Sequence, residues 1–184
     1  MKVLFGLGNP EQKYTGTRHN VGFWALDQIA MRYSAEFKAQ GKLHALVADM
    51  MIADERVLLV KPTTYYNEVG QSARAIMDFY KLSPKDFLII HDDLALPLGT
   101  IRTREGGSHG GSNGLKSLAA HIGTDTARLR IGVWTEQHHG NDKIGIVLGK
   151  FSKDEQAALD SQVDTLLHAA AEFISGNFIA TTHR

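Results

Sequence analysis

Apolar residues along the chain fall into short continuous runs that alternate with longer segments of helical periodicity. The short runs are bounded by Gly, Pro, Asn or Asp, which is typical of buried strands. The pattern predicts strands at residues 2–7, 43–51, 57–61, 87–91, 99–104 and 129–133. It predicts helices at residues 21–33, 69–80, 114–122 and 153–174.

The alternation of strands and helices predicts an α/β fold with a central twisted sheet flanked by α-helices. Ala53-Asp54-Glu55-Arg56 separates two predicted strands closely enough for a hairpin, so we expect a mixed rather than a purely parallel sheet. With 184 residues, no internal repeat and no linker-like change in composition, the chain is expected to form a single domain over residues 1–184. In such a fold, ligands gather at the ends of the strands.

Net charge gives little information about a partner, because 20 basic residues balance 20 acidic ones. The charges are unevenly distributed: residues 99–150 carry seven basic and four acidic side chains, whereas residues 151–184 carry two basic and five acidic ones. A basic middle region is compatible with a phosphate-binding face, although solvated surfaces of mixed charge explain the counts equally well.

The absence of cysteine excludes disulfides and thiolate metal sites, and it fits a reducing compartment. The N-terminal strand is too short and too interrupted for a secretory signal or a membrane helix. We therefore expect a cytoplasmic protein that makes no contact with a membrane.

A polar loop follows the first predicted strand, and His19 lies at its end, just before the first helix. An imidazole titrates close to neutral pH, so His19 could accept a proton from water. Asp92 follows the strand at 87–91, so it should lie at a strand end, where its carboxylate could orient the imidazole. Ordinary structural roles remain open: His19 as a hydrogen-bonded loop residue, and Asp92 or Asp93 as a turn or cap residue.

Three asparagines, Asn9, Asn67 and Asn113, lie where a strand or loop meets the next element. An amide side chain offers both a donor and an acceptor, so it can bind a peptide group or support a developing oxyanion without adding charge. For Asn67 and Asn113, a helix N-cap is an equally good explanation.

Tyr14 and Tyr65 are candidates for stacking on a terminal base or covering a peptide plane, although either could be a packing residue. Arg104 and Arg130, with Lys116 at the start of a helix, could contact phosphates. Each of these basic residues could equally be an ordinary surface charge.

A glycine-rich stretch at residues 106–114 permits close approach of the backbone to a ligand. The following Lys116 is not preceded directly by glycine, which a P-loop requires. Near the N-terminus, Glu11 stands where a dinucleotide-binding motif needs glycine. Nucleotide cofactors are therefore not expected.

The same stretch contains Gly106-Gly107-Ser108-His109-Gly110, which satisfies the pattern G-x-S-x-G. Ser108, with a histidine and Asp92, is therefore a candidate nucleophile of a serine hydrolase. A metal site built from His91, Asp92, Asp93 and His109 is possible by ligand type, but no known ligand spacing supports it.

Four irregular motifs occur in order along the chain: GLGNPEQKYTGTRHNVG (6–22), KPTTYYNEVG (61–70), HDDLALPLG (91–99) and GGSHGGSNGLKS (106–117). In order and spacing they resemble the bacterial peptidyl-tRNA hydrolase family. With the strand at 129–133, the resemblance covers about the first 150 residues. It implies a cytoplasmic, monomeric enzyme of translation and ribosome rescue that uses no cofactor or metal.

The resemblance also implies roles for individual residues. His19 matches the catalytic base, Asp92 matches the aspartate that supports it, and Asn9 matches a residue that distinguishes N-blocked from free aminoacyl groups. The positions that match substrate-contacting or tRNA-contacting positions of the family are Tyr14, Tyr65, Asn67, Asn113, Arg104 and Arg130.

The chain departs from the family pattern at several positions. Glu11 replaces the usual glycine after Asn-Pro, Tyr66 replaces the common methionine before Asn67, and Glu68-Val69 replaces Leu-Ser. Ser112 stands where a histidine usually precedes Asn113, which affects how substrate is handled there. Val133-Trp134-Thr135-Glu136 replaces a Gly-Arg-Pro stretch, so phosphate contacts at that corner are weakened. Residues 134–142 lack apolar periodicity and are expected to be mobile.

These observations predict an esterase acting on peptidyl-tRNA. His19, oriented by Asp92, would deprotonate a water that attacks the ester carbonyl, and no covalent intermediate would form. Two alternatives remain open: a non-catalytic RNA-binding protein on the same scaffold, and a serine hydrolase that forms an acyl-enzyme at Ser108.

Overall fold

The computed structural model describes residues 1–136 and 142–184. Within these residues, eight strands form one sheet, and six α-helices are present. The strands are β1 (Lys2–Gly6), β2 (Lys38–Gln40), β3 (Ala45–Ile52), β4 (Glu55–Pro62), β5 (Phe87–Pro97), β6 (Ile101–Arg104), β7 (Ala127–Trp134) and β8 (Thr182–His183). The helices are α1 (Val21–Arg32), α2 (Val69–Tyr80), α3 (Asn113–Ile122), α4 (Lys143–Leu148), α5 (Lys153–Asp160) and α6 (Val163–Ser175).

The sheet is mixed, as the sequence predicts, and its strands follow the order β2-β3-β4-β1-β5-β7-β6-β8. The central strands β4, β1, β5 and β7 run parallel, and antiparallel strands lie at both edges. The predicted hairpin joins β3 to β4, with Ala53 and Asp54 in its two-residue turn at φ of 48° and 65°. Positive φ at both turn residues matches the right-handed twist of a tight hairpin.

Buried side chains alternate between the two faces of the sheet. In β1, Leu4 packs on one face, whereas Val3 and Phe5 pack on the other. Helices α1 and α6 contribute to the first core, and helices α2 and α3 contribute to the second. Because helices cover both faces, the central strands are continuous apolar runs rather than alternating ones.

Strand β5 extends beyond its neighbour β1, and this offset places polar residues at the carboxyl edge of the sheet. Gly6 at the end of β1 pairs with Ile90, whereas Asp92 and Asp93 pair with β7. The prediction that Asp92 follows the end of this strand is therefore wrong, because β5 continues to Pro97 with an irregular register after Asp93. Pairing with β7 continues the strand through residues whose side chains are polar.

The predicted helix at 153–174 is wrong as a single helix, because α5 ends at Asp160 and α6 begins at Val163. At the break, the Ser161 hydroxyl donates to the Ala158 carbonyl oxygen at 2.7 Å, a local bond that competes with helix propagation. Within the described part of the chain, no helix is long and apolar enough to cross a bilayer.

Three short elements have no counterpart in the predicted pattern. Strands β2 and β8 have three and two residues, mostly exposed, so they carry no hydrophobic signature. Helix α4 is rich in β-branched residues, which favour strands, yet Asp142 caps it by accepting from Gly145 N at 2.8 Å. Of the segment 134–142 that we expect to be mobile, residues 137–141 lie outside the described residues.

Candidate active site

His19 and Asp92 lie within hydrogen-bonding distance, although 73 positions separate them in the sequence. His19 Nδ1 is 3.0 Å from Asp92 Oδ2, the carboxylate is 7% exposed, and the imidazole is 19% exposed. An ionised carboxylate only accepts hydrogen bonds, so Nδ1 carries the hydrogen and Nε2 is left as an acceptor. The arrangement can therefore present an unprotonated ring nitrogen to a water molecule.

Two asparagines fix the loop that carries His19. Asn9 N donates to Asn20 Oδ1 at 2.9 Å, and Asn20 Nδ2 donates back to the Asn9 carbonyl oxygen at 2.9 Å. Asn20 is buried, so these bonds are made away from bulk water. The pair joins the beginning of the loop to its end, directly beside His19.

Arg18, the residue before His19, anchors the loop to the C-terminal part of the chain. Its Nη2 donates to both carboxylate oxygens of Glu155, at 2.7 and 2.6 Å, and its Nη1 donates to the Lys150 carbonyl oxygen at 3.1 Å. Arg18 and Glu155 are both buried. The backbone of the loop that carries His19 is thus held by an ion pair with helix α5.

We expect Glu155→Gln to lower the free energy of unfolding by about 3 kcal/mol, because the buried guanidinium loses its counter-charge. Asp78→Asn is the matched control, since it removes the partner of Arg74 in an ion pair whose side chains are 51% and 57% exposed. Asp78→Asn should lower the free energy of unfolding by less than about 1 kcal/mol. Urea denaturation at pH 7 measures this free energy for both variants. Equally small decreases in the two variants would contradict the anchoring role of Glu155.

Tyr66 contacts both candidate catalytic residues. Its ring stacks on the imidazole of His19, with centroids 3.6 Å apart and planes inclined by 23°. Its hydroxyl donates to Asp92 Oδ1 at 3.2 Å. Burial raises the pKa of the Tyr66 phenol well above its ordinary value, and the charge of Asp92 raises it further. Sequence reasoning missed this residue, whose only signal was the departure from the family pattern beside Asn67.

Asn9 has one of its two amide functions already engaged. Its Oδ1 accepts from the backbone N–H of Tyr66 at 2.9 Å. The side chain therefore has its NH₂ group left for another partner. In this position Asn9 offers its NH₂ group as a donor, while its oxygen keeps one of its two lone pairs.

A cavity of about 740 Å³ opens beside the His19–Asp92 pair. Six of the predicted site residues line it: His19, Asn67, Asp92, Arg104, Asn113 and Arg130. Among the described residues, Asn9, Tyr14, Tyr65 and Lys116 are not part of its lining. Asn9 nevertheless adjoins the cavity through Tyr66, whereas Tyr65 is 54% exposed on the outer surface.

The alternative that Asn67 and Asn113 are helix N-caps is wrong. Asn67 lies inside a short 3₁₀ turn, and Glu68 occupies the N-cap position of α2. Asn113 is the first residue of α3, and the preceding Ser112 accepts from Leu115 N as the N-cap. Both amides are exposed and remain available to a ligand.

The arginines around the cavity have different surroundings. Arg130 donates from Nε to Asp93 Oδ2 at 2.5 Å, so its charge is already paired, whereas Arg104 is exposed. Arg128 is buried and donates to the carbonyl oxygens of Gly107 and Ser108, at 2.8 and 3.2 Å. Arg128 thereby fixes the glycine-rich loop, a role that the sequence did not indicate.

The geometry around Ser108 does not provide a nucleophile. In residues 1–136 and 142–184, the Ser108 hydroxyl makes no hydrogen bond to a histidine, and the neighbouring His109 instead accepts from Gly111 N at 3.2 Å. The loop turns at Gly110 and Gly111, with φ of 54° and 84°, values that favour glycine over other residues. No three His, Asp or Glu side chains of the described chain converge as metal ligands.

A sequence profile described as peptidyl-tRNA hydrolase matches residues 3–184. The chain belongs to the peptidyl-tRNA hydrolase family. A peptidyl-tRNA hydrolase of Chlorobaculum parvum is 47% identical over 175 residues, which cover 94% of this chain and 91% of the relative. One of Neisseria gonorrhoeae is 40% identical over 186 residues, which cover 99% and 95%.

Solved structures of the family share the fold. The crystal structure of peptidyl-tRNA hydrolase from Acinetobacter baumannii superposes with a TM-score of 0.89 at 39% identity, covering 96% of this chain and 89% of that one. The predicted family, the α/β fold with a mixed sheet and the assignment as a hydrolase are therefore confirmed. The roles of individual side chains remain predictions.

Proposed function

We propose that the chain hydrolyses the ester that joins a peptide, or an N-blocked aminoacyl group, to the terminal ribose of tRNA, with His19 as general base. The observation that carries this proposal is the 3.0 Å contact between His19 and Asp92 at a cavity also lined by Asn67 and Asn113. A free imidazole nitrogen beside neutral amides suits attack of water on an acyl group.

In the proposed reaction, a water molecule transfers a proton to His19 Nε2 while its oxygen bonds to the ester carbonyl carbon. The carboxylate of Asp92 stabilises the imidazolium that forms and keeps the ring in place. The bond between the carbonyl carbon and the ribose oxygen then breaks, and the imidazolium returns the proton to that oxygen. The products are free tRNA and a peptide with a carboxyl group.

The three asparagines support recognition of the acyl chain. Asn67 and Asn113 would contact the peptide and polarise its carbonyl groups. Asn9 offers an NH₂ donor, because its oxygen is bonded to Tyr66 N. This NH₂ group can donate to the carbonyl oxygen of an N-blocked substrate. A free ammonium is also a donor, so the hydrogen bond would be lost, at a cost of roughly 1–3 kcal/mol.

The RNA part of the substrate would lie along the basic side of the cavity. Exposed Arg104 is free to contact phosphate, and Arg130 would have to share its guanidinium between phosphate and Asp93. Tyr14 and Tyr65, outside the cavity, would pack against the acceptor end. We also propose that the enzyme is a cytoplasmic monomer without a cofactor, since one chain supplies every group used in the reaction.

The proposal is tested with N-acetyl-aminoacyl-tRNA, with free aminoacyl-tRNA as the comparison substrate. We expect the wild type to release the acetylated amino acid at least about tenfold faster than the free one, from the lost hydrogen-bond pairing at Asn9. Ser108→Ala should retain the wild-type rate within about twofold, because water attacks directly.

The same assay separates the two alternatives. Binding of tRNA without release of the acyl group would favour a non-catalytic RNA-binding protein. Loss of turnover in Ser108→Ala, with an acyl-enzyme trapped in the wild type, would favour the serine hydrolase.

A further inference from the structure

Two of the departures from the family pattern are in contact, although 46 positions separate them. Tyr66 Oη and Ser112 Oγ are 3.4 Å apart. Tyr66 is buried in the short turn before α2, and Ser112 is the N-cap residue of α3. The contact therefore links the turn beside Asn67 to the start of the helix that carries Asn113.

The contacts of Tyr66 reach three groups of the site from one residue. Its backbone N–H holds the oxygen of Asn9, its ring stacks on His19, and its hydroxyl donates to Asp92. Asp92 thus has one oxygen bonded to His19 and the other bonded to Tyr66, so rotation of the carboxylate is fixed at both ends. Stacking prevents the imidazole from tilting away.

The hydrogen bonds around Tyr66 converge on the carboxylate of Asp92. The phenol of Tyr66 stays protonated because burial raises its pKa, and its O–H group donates to Asp92. Ser112 must then donate to Tyr66 Oη, while Ser112 Oγ accepts from Leu115 N at the start of α3. The bonds from Leu115 through Ser112 and Tyr66 therefore end on Asp92, which also accepts from His19 Nδ1, and Nε2 of the imidazole is left as the acceptor.

We propose that Tyr66, supported by Ser112, is a positioning residue for the reaction: it holds the Asp92 carboxylate and the His19 ring in the orientation that general-base catalysis requires. This inference rests on the proposed function, because it acts through His19. It assigns to Tyr66 a role that acts through His19 and Asp92 rather than on the substrate itself.

Tyr66→Phe tests the hydroxyl, because it removes one oxygen and retains the stacked ring. We expect kcat to fall about tenfold, the effect of losing one hydrogen bond to a charged group, with KM changed less than about twofold. Tyr33→Phe, the same substitution at a residue that is 39% exposed on α1's C-terminal side, should leave both constants unchanged. Thermal unfolding of both variants separates positioning from loss of fold.

A double-mutant cycle with Ser112→Ala tests the chain of hydrogen bonds. Ser112→Ala should lower kcat about threefold when Tyr66 is present and cause no further fall in the Tyr66→Phe background, where the chain is already broken. Loss of the helix cap would affect both backgrounds equally. Independent effects that multiply would overturn the proposal.

Two results distinguish failure of this inference from failure of the proposed function. Wild-type kcat in Tyr66→Phe, together with loss of activity in His19→Ala, would overturn the inference alone. Activity retained in His19→Ala would overturn the proposed function and the inference with it.

Discussion

Replacing His19 with alanine is expected to lower kcat for hydrolysis of N-acetyl-aminoacyl-tRNA by about 10⁴-fold, the upper range for loss of a general base. The methyl group cannot accept the proton of the attacking water, and Asp92, with its two oxygens bonded to His19 and Tyr66, lies behind the ring. Binding of tRNA should change little, because Arg104 and Arg130, the proposed phosphate contacts, are unaffected.

Single-turnover rates and fluorescence anisotropy with deacylated tRNA measure the two parts of this prediction. His168→Ala is the matched control, since that histidine lies on α6 with a side chain that is 68% exposed. It should retain the wild-type rate. If the His19→Ala enzyme hydrolyses the substrate at close to the wild-type rate, His19 is not the general base.

Asp92→Asn should lower kcat by about 10³-fold with little change in KM. An amide is isosteric with the carboxylate but has no charge to stabilise the imidazolium. It can also present NH₂ to Nδ1, which would place the hydrogen on Nε2 and leave no acceptor for water. The loss is expected to be smaller than for His19→Ala, because the imidazole is still present and still stacked on Tyr66.

Asp93→Asn is a demanding control for this prediction, because it removes the same charge from the next residue of β5. Asp93 is bonded to Arg130 rather than to His19. We therefore expect kcat to remain within a few-fold of the wild-type value, because the ion pair that is lost includes neither His19 nor Asp92. Equal losses of kcat in the two variants would show that general electrostatics, and not the orientation of His19, explains the effect.

The parts of the molecule that sequence patterns could predict are those set by local chemistry. The β3–β4 hairpin follows from a short polar connection between two apolar runs, and α2 has the predicted bounds of Val69 and Tyr80. His19 and Asp92 could be selected as candidates because polar residues after apolar runs mark the edge of an α/β sheet. Their separation of 3.0 Å is a property of the folded chain.

The parts that could not be predicted depend on contacts between distant segments. The continuation of β5 past His91 depends on pairing with β7, and the stacking of Tyr66 on His19 depends on two loops meeting. Residue type suggested that Asn9 would offer both a donor and an acceptor, but the backbone of Tyr66 occupies one lone pair of its oxygen. The break between α5 and α6 lies in a segment whose apolar spacing suits one long helix, and at the break the Ser161 hydroxyl bonds to the Ala158 carbonyl oxygen.

Arg18 and Glu155, which form an ion pair, are separated by 137 positions in the sequence, so they are synthesised at different times. A growing polypeptide contains His19 and Asp92 long before Glu155, which anchors the loop that carries His19, has been added. While it is being translated, the chain is itself attached to tRNA through the kind of ester that the finished enzyme cleaves. The loop that carries His19 therefore gains this support only after residue 155 has been added to the chain.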